Sequence, residues 1–121
     1  MPKTILCVDD SPTQLQALVE ALQPHGYTIL TASNGEDALQ KAAESVPDLV
    51  LLDVVLPKKN GFQVCRQLKT QAQTRAMKVV LLSSKDQASD RFWGMKQGAD
   101  EYLTKPFDPV ELATNVARQL G

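Results

Sequence analysis

The sequence has few of the residues on which several large classes of protein depend. Its 121 residues include two cysteines and one histidine, which disfavours a disulfide framework, a His-rich zinc site and a His-based catalytic triad. No apolar run approaches the ~20 residues that span a bilayer. The net charge is −1, so the chain lacks a basic field for nucleic acid or anionic lipid. We therefore expect no nucleic-acid partner and no membrane insertion.

The first residues, MPKTILCVDD, turn acidic at once and lack the apolar core and cleavage site of a secretory signal. Cys7 and Cys65 lie within apolar patterns, where cysteine behaves as a small buried hydrophobe. Both observations are typical of a reducing compartment, so we expect a cytoplasmic protein. Length and composition predict a single globular domain over residues 1–121.

Short apolar segments alternate with amphipathic segments along the whole chain. The segments predicted to be strands are Thr4 to Val8, Tyr27 to Ala32, Leu49 to Leu52, Met77 to Leu82 and Glu101 to Thr104. Helical spacing follows each of them, and five such alternations predict a (βα)5, doubly wound parallel sheet with helices on both faces. The stronger apolar character of the first, third and fourth strands places them centrally, which indicates the order 2-1-3-4-5.

Two local patterns carry more specific predictions. Asn34-Gly35 is typical of a turn. In the fourth helix, Ala88, Phe92 and Met95 recur at helical spacing and are predicted to form its buried face.

Carboxylates follow two strands that the predicted order makes neighbours. Asp9 and Asp10 follow the first strand, and Asp53 ends the third. Three carboxylates in one crevice repel, and the pKa of each would rise unless a cation compensates. Mg²⁺ suits such a site, since it takes one or two carboxylates together with water and phosphate oxygens. Alternatively, Asp53 only caps a turn, and the Asp pair is a solvated lead into a helix N-terminus.

Two further strand ends add groups of the kinds that a phosphoryl group needs. Ser83 offers a hydroxyl donor after the fourth strand, and Lys105 offers a compact cation after the fifth. Each alone is an ordinary turn or surface residue. Their coincidence with the carboxylates, at one edge of the sheet, is the strong signal.

Four motifs together resemble the response-regulator receiver domain of two-component signalling, from one end of the chain to the other. They are Val8-Asp9-Asp10, the stretch from Asp53 to Gly61 with Leu56-Pro57, the stretch from Val80 to Ser84, and Lys105-Pro106-Phe107. The resemblance implies the flavodoxin-like version of the predicted fold. It also implies a sensor histidine kinase and a downstream effector protein as partners, and a chain that is a monomer or weak dimer.

For the reaction, the resemblance implies that Asp53 accepts a phosphoryl group from a phosphohistidine on the kinase. Asp10 would bind Mg²⁺ directly, Asp9 would act through the shell of the ion, and the Val55 carbonyl would be a further ligand. Val55 and Lys85 match positions that tune phosphoryl lifetime in the family, and they leave that lifetime open.

For the switch, the resemblance assigns Ser83 as the hydroxyl that responds to phosphorylation. Lys105 would contact the phosphoryl group, with a bond to Pro106 that is typically cis in this family. Tyr102 matches the aromatic residue that rotates inward on activation, and the face of the fourth helix, fifth strand and fifth helix would then change.

That face is expected to bind the partner through Arg91, Trp93, Tyr102 and Thr104. Trp93 lies one position off the predicted buried stripe, so it either reaches the partner from the rim of the helix or packs over the adjacent loop. Residues 89–94 and 97–99 are also similar to regulators of type IV pilus twitching and phototaxis. The output is accordingly expected to be motility.

Other classes of protein use parts of the same pattern. An aspartate-nucleophile phosphatase of the haloacid-dehalogenase type has a second Asp two positions after the first, where this chain has Ser11. A pseudo-receiver would bind partners without phosphate. A flavin-binding protein would need a phosphate-cradling loop after the first strand, where Asp9 and Asp10 would repel a phosphate.

Overall fold

The computed structural model describes residues 2–121 as a five-stranded parallel sheet with helices on both faces. The strands are β1 (Thr4–Val8), β2 (Thr28–Ala32), β3 (Leu49–Asp53), β4 (Lys78–Ser83) and β5 (Glu101–Thr104). The helices are α1 (Pro12–Leu22), α2 (Gly35–Ser45), α3 (Gly61–Thr70), α4 (Ala88–Lys96) and α5 (Pro109–Leu120), with a short 3₁₀ turn at Gln23–His25. The strand order is β2-β1-β3-β4-β5, which confirms the predicted order.

Two apolar cores lie on opposite faces of the sheet, because successive side chains of a strand point to opposite sides. In β3, Val50 and Leu52 contribute to one core with residues of α2 and α3, whereas Leu49 and Leu51 contribute to the other with α1 and α5. All four are fully buried. A central strand of this kind needs apolar residues on both faces, which explains the unbroken run. Across residues 2–121, no helix combines the length and apolar character needed to cross a membrane.

Side chains that precede the helices satisfy the free backbone N–H groups of the first turn. Ser11 Oγ accepts from Gln14 N at 3.3 Å before α1. Asn34 Oδ1 accepts from Asp37 N at 2.8 Å before α2. The predicted Asn34-Gly35 turn is therefore the start of a helix, in which Asn34 is the cap and Gly35 is the first helical residue.

The predicted buried face of α4 is wrong. Phe92 is 62% exposed and Met95 is 48% exposed, and Ala88 is exposed as well. Instead, Gly94 is the buried residue of this helix, and a Cβ atom built on it would lie 2.9 Å from side-chain atoms of both Leu81 and Tyr102. The helix packs so closely through a glycine that its large apolar side chains remain at the surface. Helical periodicity cannot identify such a contact, because the residue that makes it has no side chain.

Candidate functional site

Three carboxylates meet at the carboxyl ends of β1 and β3. The two strands are direct neighbours in the sheet, so Asp9 and Asp10 emerge beside Asp53. Each of the three offers a carboxylate oxygen within 4.8 Å of the others. Asp9 and Asp53 are buried, whereas Asp10 is exposed. The parallel sheet thus brings together the three acids that the sequence singled out.

Lys105 supplies a positive charge at the centre of this cluster. Its Nζ lies 2.7 Å from Asp9 Oδ2 and 3.2 Å from Asp53 Oδ2. Burial disfavours the charged ammonium, but the two carboxylates outweigh burial and raise the pKa of Lys105. The lysine is therefore charged at neutral pH. One cation faces three carboxylates, which leaves the cluster with two negative charges in excess.

The carboxyl group of Asp53 is held in a defined orientation. Its Oδ1 accepts a hydrogen bond from Val55 N at 3.2 Å, and its Oδ2 accepts one from Lys105. Burial raises the pKa of Asp53, the charge of Asp9 raises it further, and Lys105 opposes both effects. Desolvation and like charge thus destabilise the ionised form of the Asp53 carboxyl group.

The donor set of the cluster fits a hard divalent cation. Every candidate ligand atom is a carboxylate oxygen, and the excess negative charge is of the size that one divalent ion neutralises. Asp10 lies at the exposed mouth, where it could bind an ion that enters from solvent. Val55, whose carbonyl the sequence analysis named as a ligand, begins the loop that follows Val54 and is 55% exposed.

The cluster opens into a broad surface groove of about 830 Å³. The groove runs along α1 past Gln14 and Ala17 to Glu20, and Pro106 and Phe107 form part of its other wall. Asp53 lies in the lining of this groove, which connects its carboxyl group to the protein surface. The peptide bond between Lys105 and Pro106 is cis, as the resemblance implied.

Ser83 and Tyr102 are linked through the backbone of Lys85. Ser83 is fully buried, and its Oγ accepts a hydrogen bond from Lys85 N at 3.2 Å. Tyr102 is 3% exposed, and its hydroxyl donates to Lys85 O at 2.7 Å. A single residue of the β4–α4 loop therefore contacts both members of the predicted switch.

Arg91 stacks on the same tyrosine from α4. Its guanidinium carbon lies 5.5 Å from the centre of the Tyr102 ring, and Nη1 donates to the Tyr102 carbonyl at 3.1 Å. Trp93 projects from α4 and is 53% exposed, and Thr104 pairs with Ser83 in the β4–β5 register. Gly94, which packs against the Tyr102 ring, was not among the residues predicted from the sequence. A glycine within a helical segment was the available signal.

Comparisons with known proteins agree with this geometry. The family described as "Response regulator receiver domain" matches residues 5–117. Protein PilH of Pseudomonas aeruginosa is 46% identical over 112 residues, which cover 93% of this chain and 93% of that protein. The alkaline phosphatase synthesis transcriptional regulatory protein PhoP of Bacillus subtilis is 44% identical over 116 residues, which cover 96% of this chain but only 48% of PhoP.

Solved structures extend the similarity to the whole fold. The chemotaxis response regulator CheY4 of Vibrio cholerae superimposes with a TM-score of 0.92 at 30% identity. The alignment covers 98% of this chain and 99% of that one.

Proposed function

Because the chain belongs to the response regulator receiver domain family, we propose that it accepts a phosphoryl group on Asp53 from a phosphohistidine of a sensor histidine kinase. A receiver domain of this family acts in a phosphorelay with a kinase upstream and a target downstream. The specific residues, the ion and the downstream target are our assignments. The observation that carries them is the convergence of Asp9, Asp10, Asp53 and Lys105 at one sheet edge.

In the proposed reaction, a carboxylate oxygen of Asp53 attacks the phosphorus of the phosphohistidine. An oxygen–phosphorus bond forms while the phosphorus–nitrogen bond breaks, and the imidazole nitrogen keeps the electron pair and takes up a proton. Catalysis rests on positioning and charge neutralisation. Val55 N and Lys105 Nζ orient the nucleophile through the hydrogen bonds described above. Hydrolysis of the acyl phosphate by water later restores Asp53 and releases inorganic phosphate.

Mg²⁺ fits the proposed site, with Asp10 and Asp53 as direct ligands, Asp9 acting through the ion's shell, and the Val55 carbonyl as a further ligand. When bound, the ion supplies neutralising charge for the phosphoryl oxygens. Lys105 adds a second cation, which already lies 3.2 Å from Asp53 Oδ2. Phosphorylation raises the negative charge on residue 53 from one to about two. The Lys105 ammonium should therefore be attracted away from Asp9 and toward the new phosphoryl oxygens.

The proposed switch runs from Ser83 to Tyr102 through Lys85. When the Ser83 hydroxyl moves to donate to a phosphoryl oxygen, its hydrogen bond with Lys85 N should lengthen or break. The backbone of Lys85 can then shift, and with it the carbonyl that accepts from the Tyr102 hydroxyl. Tyr102 already points inward in this structure. Phosphorylation would therefore alter how firmly the Tyr102 ring is held, and with it the relative populations of its inward and outward positions.

The proposed partner surface comprises the exposed face of α4, β5 and α5. Trp93 is half exposed there. Arg91, Tyr102 and Thr104 line a separate surface groove on this side of the protein. The exposure of Trp93 favours partner contact over packing on the loop. The similarity to PilH and the resemblance of residues 89–94 and 97–99 to twitching regulators support pilus motility as the output. We also propose a cytoplasmic location, because the proposed kinase would take its phosphoryl group from ATP there.

A ³²P transfer assay tests the acceptor. With Mg²⁺ and either a histidine kinase or a small phosphodonor such as phosphoramidate, the native chain should become labelled with alkali-labile phosphate. Asp53→Asn should reduce labelling to background, whereas Asp86→Asn, an exposed carboxylate at the same sheet edge, should leave it intact. Labelling of Asp53→Asn at the native level would contradict the assignment. A native chain that is never labelled would favour a pseudo-receiver.

The phosphatase alternative has a specific structural difficulty. The position where such enzymes have a second Asp is Ser11, and its side chain is occupied as the α1 cap. We expect no turnover of small phosphate esters, and steady turnover of such an ester would favour the phosphatase.

A further inference from the structure

The loop of residues 54–60 connects Asp53 to α3. Its backbone lies in close contact with two glycines, Gly61 and Gly35. On one side, Gly61 N donates to Val54 O at 2.8 Å. A Cβ on Gly61 would lie 2.3 Å from the Asp53 carbonyl oxygen. Gly61 is part of the receiver motif, so its close approach is expected. The second glycine lies in another element, and the motif does not include it.

Gly35, the first residue of α2, contacts the other side of this loop. Its N–H donates to Pro57 O at 3.4 Å. A Cβ built on Gly35 would lie 2.2 Å from the Lys59 carbonyl oxygen and 2.7 Å from Lys59 Cβ. Both separations are shorter than real Cβ contacts, and the nearest atom belongs to the backbone, so the loop would have to move.

The backbone conformation of Gly35 does not by itself require glycine. Its φ is not among the positive values found at Gly26, Gly98 and Gly121. Alanine is also preferred over glycine in helices by roughly 1 kcal/mol. The close approach of the loop is therefore the physical reason that this position lacks a side chain.

Two side-chain contacts also reach this loop, and one of them is between exposed groups. Lys58 and Glu36 lie 4.0 Å apart, with side chains that are 57% and 61% exposed, and exposed pairs of this kind contribute little. Lys59 Nζ donates to Gln67 Oε1 at 3.1 Å. Lys58 also has a φ of 70°, which costs energy in a non-glycine residue and must be held by the surroundings.

We propose that Gly35 is a positioning residue for the phospho-acceptor loop. Because it has no side chain, Pro57 and Lys59 can lie against the start of α2. This contact holds the loop where Val55 N can donate to Asp53 and where the Val55 carbonyl can act as the proposed Mg²⁺ ligand. This inference rests on the proposed function. Val55 N donates to Asp53 Oδ1, so a displaced loop also turns the nucleophile. A helix on the far side of the loop thereby sets the geometry of the acceptor.

Gly35→Ala tests the proposal with two readouts. In the metal-free protein, amide hydrogen exchange at Val55, Lys59 and Gly61 should accelerate. By calorimetric titration, the Mg²⁺ dissociation constant should rise by about 10-fold, the usual effect of losing a residue that orients metal ligands. The matched control is Gly26→Ala, because Gly26 has a φ of +85° and open space around its Cβ position. That variant should lose stability and keep native Mg²⁺ affinity.

A second measurement covers the case in which Gly35→Ala folds poorly. Sucrose or TMAO, which are excluded from the protein surface and favour the folded chain, allow both readouts to be taken on the folded variant. Native exchange and native affinity in the folded Gly35→Ala protein would overturn the proposal. Failure of the native chain to bind Mg²⁺ would instead contradict the proposed function, and the metal-free exchange would still test the loop contact.

Discussion

The sheet has a lysine–aspartate contact of 2.7 Å both at the amino ends of its strands and at their carboxyl ends, but at the carboxyl ends the lysine also faces a second carboxylate. We refer to these two ends as the balanced and the unbalanced edge, after the charges of these two groups of side chains. At the amino ends of the strands, Lys69 Nζ lies 2.7 Å from Asp100 Oδ2 and donates to Met77 O at 2.6 Å. The same carboxylate oxygen accepts from Val79 N at 2.8 Å. The Lys69 ammonium and the Asp100 carboxylate therefore pair with each other. Each also bonds one backbone group, the Met77 carbonyl and the Val79 N–H respectively.

At the carboxyl ends, Lys105 makes the same 2.7 Å contact with Asp9. Here, however, Asp10 and Asp53 add two further carboxylates. A balanced pair joins segments of chain and needs no other partner. An unbalanced cluster is held in place by the fold at a cost in stability, which is typical of a functional site. The comparison predicts that the two edges respond differently, and in some cases oppositely, to the same kind of change.

The largest expected effect is at the balanced edge. Asp100→Ala removes the partner of Lys69 and leaves the buried Val79 N–H without its acceptor. We expect a loss of about 2–3 kcal/mol in the free energy of unfolding, measured by urea denaturation. Lys69→Met should cost less, because it keeps the aliphatic chain that packs under Gly98. An Asp100→Ala protein as stable as the native chain would remove the contrast between the edges.

Mg²⁺ should act on the unbalanced edge alone. At a concentration 100 times its dissociation constant, an ion that binds only the folded chain raises the free energy of unfolding by about 2.7 kcal/mol. Asp10→Asn should abolish most of this gain, since it removes a proposed ligand and one of the excess charges. Asp100→Ala should keep the gain on its lower baseline. Equal Mg²⁺ responses in Asp10→Asn and the native chain would place the ion elsewhere.

Neutralising the acceptor should stabilise the metal-free protein. The pKa of Asp53 is raised in the folded chain, so this group favours folding below its unfolded pKa of about 3.9 and opposes folding once ionised. At neutral pH, Asp53→Asn should therefore raise the free energy of unfolding by about 1 kcal/mol. Lys105 keeps Asp9 as its partner, so no buried cation is orphaned.

The sign of this effect can be checked against pH. The advantage of Asp53→Asn should shrink as the pH falls from the raised pKa of the folded Asp53 toward the unfolded value of about 3.9, because the native carboxyl group becomes protonated over this interval. Denaturation curves for both proteins over that interval measure the difference directly. A variant that is less stable than the native chain at neutral pH would show that Asp53 contributes to folding as Asp100 does.

The smallest effect concerns backbone strain, which both edges contain. Val46 ends α2 at the amino-terminal edge with a φ of 44°, and Lys58 lies in the acceptor loop with a φ of 70°. Val46 is 53% exposed, so Val46→Gly should gain about 0.5–1 kcal/mol with little loss of packing. Mg²⁺ affinity should not change. Lys58→Gly should relieve similar strain but weaken Mg²⁺ binding, because it loosens the acceptor loop.

Much of the architecture followed from local pattern. The short unbroken apolar run of β3 predicted a strand covered on both faces, and the weaker runs predicted the two edge strands, β2 and β5. Asp9, Asp10, Asp53 and Lys105 were identifiable because strand ends in a parallel sheet share one edge. The pattern failed at α4, where Gly94 makes the close contact and Phe92 and Met95 stay exposed. Periodicity detects side chains that are buried and cannot detect a contact that depends on the absence of one.

Asn34-Gly35 shows the same limit at the site. Locally, this pair is compatible with a turn or a helix start, and the available signal for the helix was the acids Glu36 and Asp37, which follow it in the first turn. Its consequence depends on Lys59, which folding brings against Gly35 from 24 positions along the chain.

The sequence by itself determined the alternation of strands and helices, the ends of the strands at which the proposed chemistry lies, and the acids and the lysine that meet there. These follow from residue type and spacing along a short stretch of chain. Only the tertiary structure decided how many carboxylates face each lysine, the inward position of Tyr102, and the close contacts made at Gly35 and Gly94. Those properties depend on distances between atoms of segments far apart in the chain, which a local pattern does not encode.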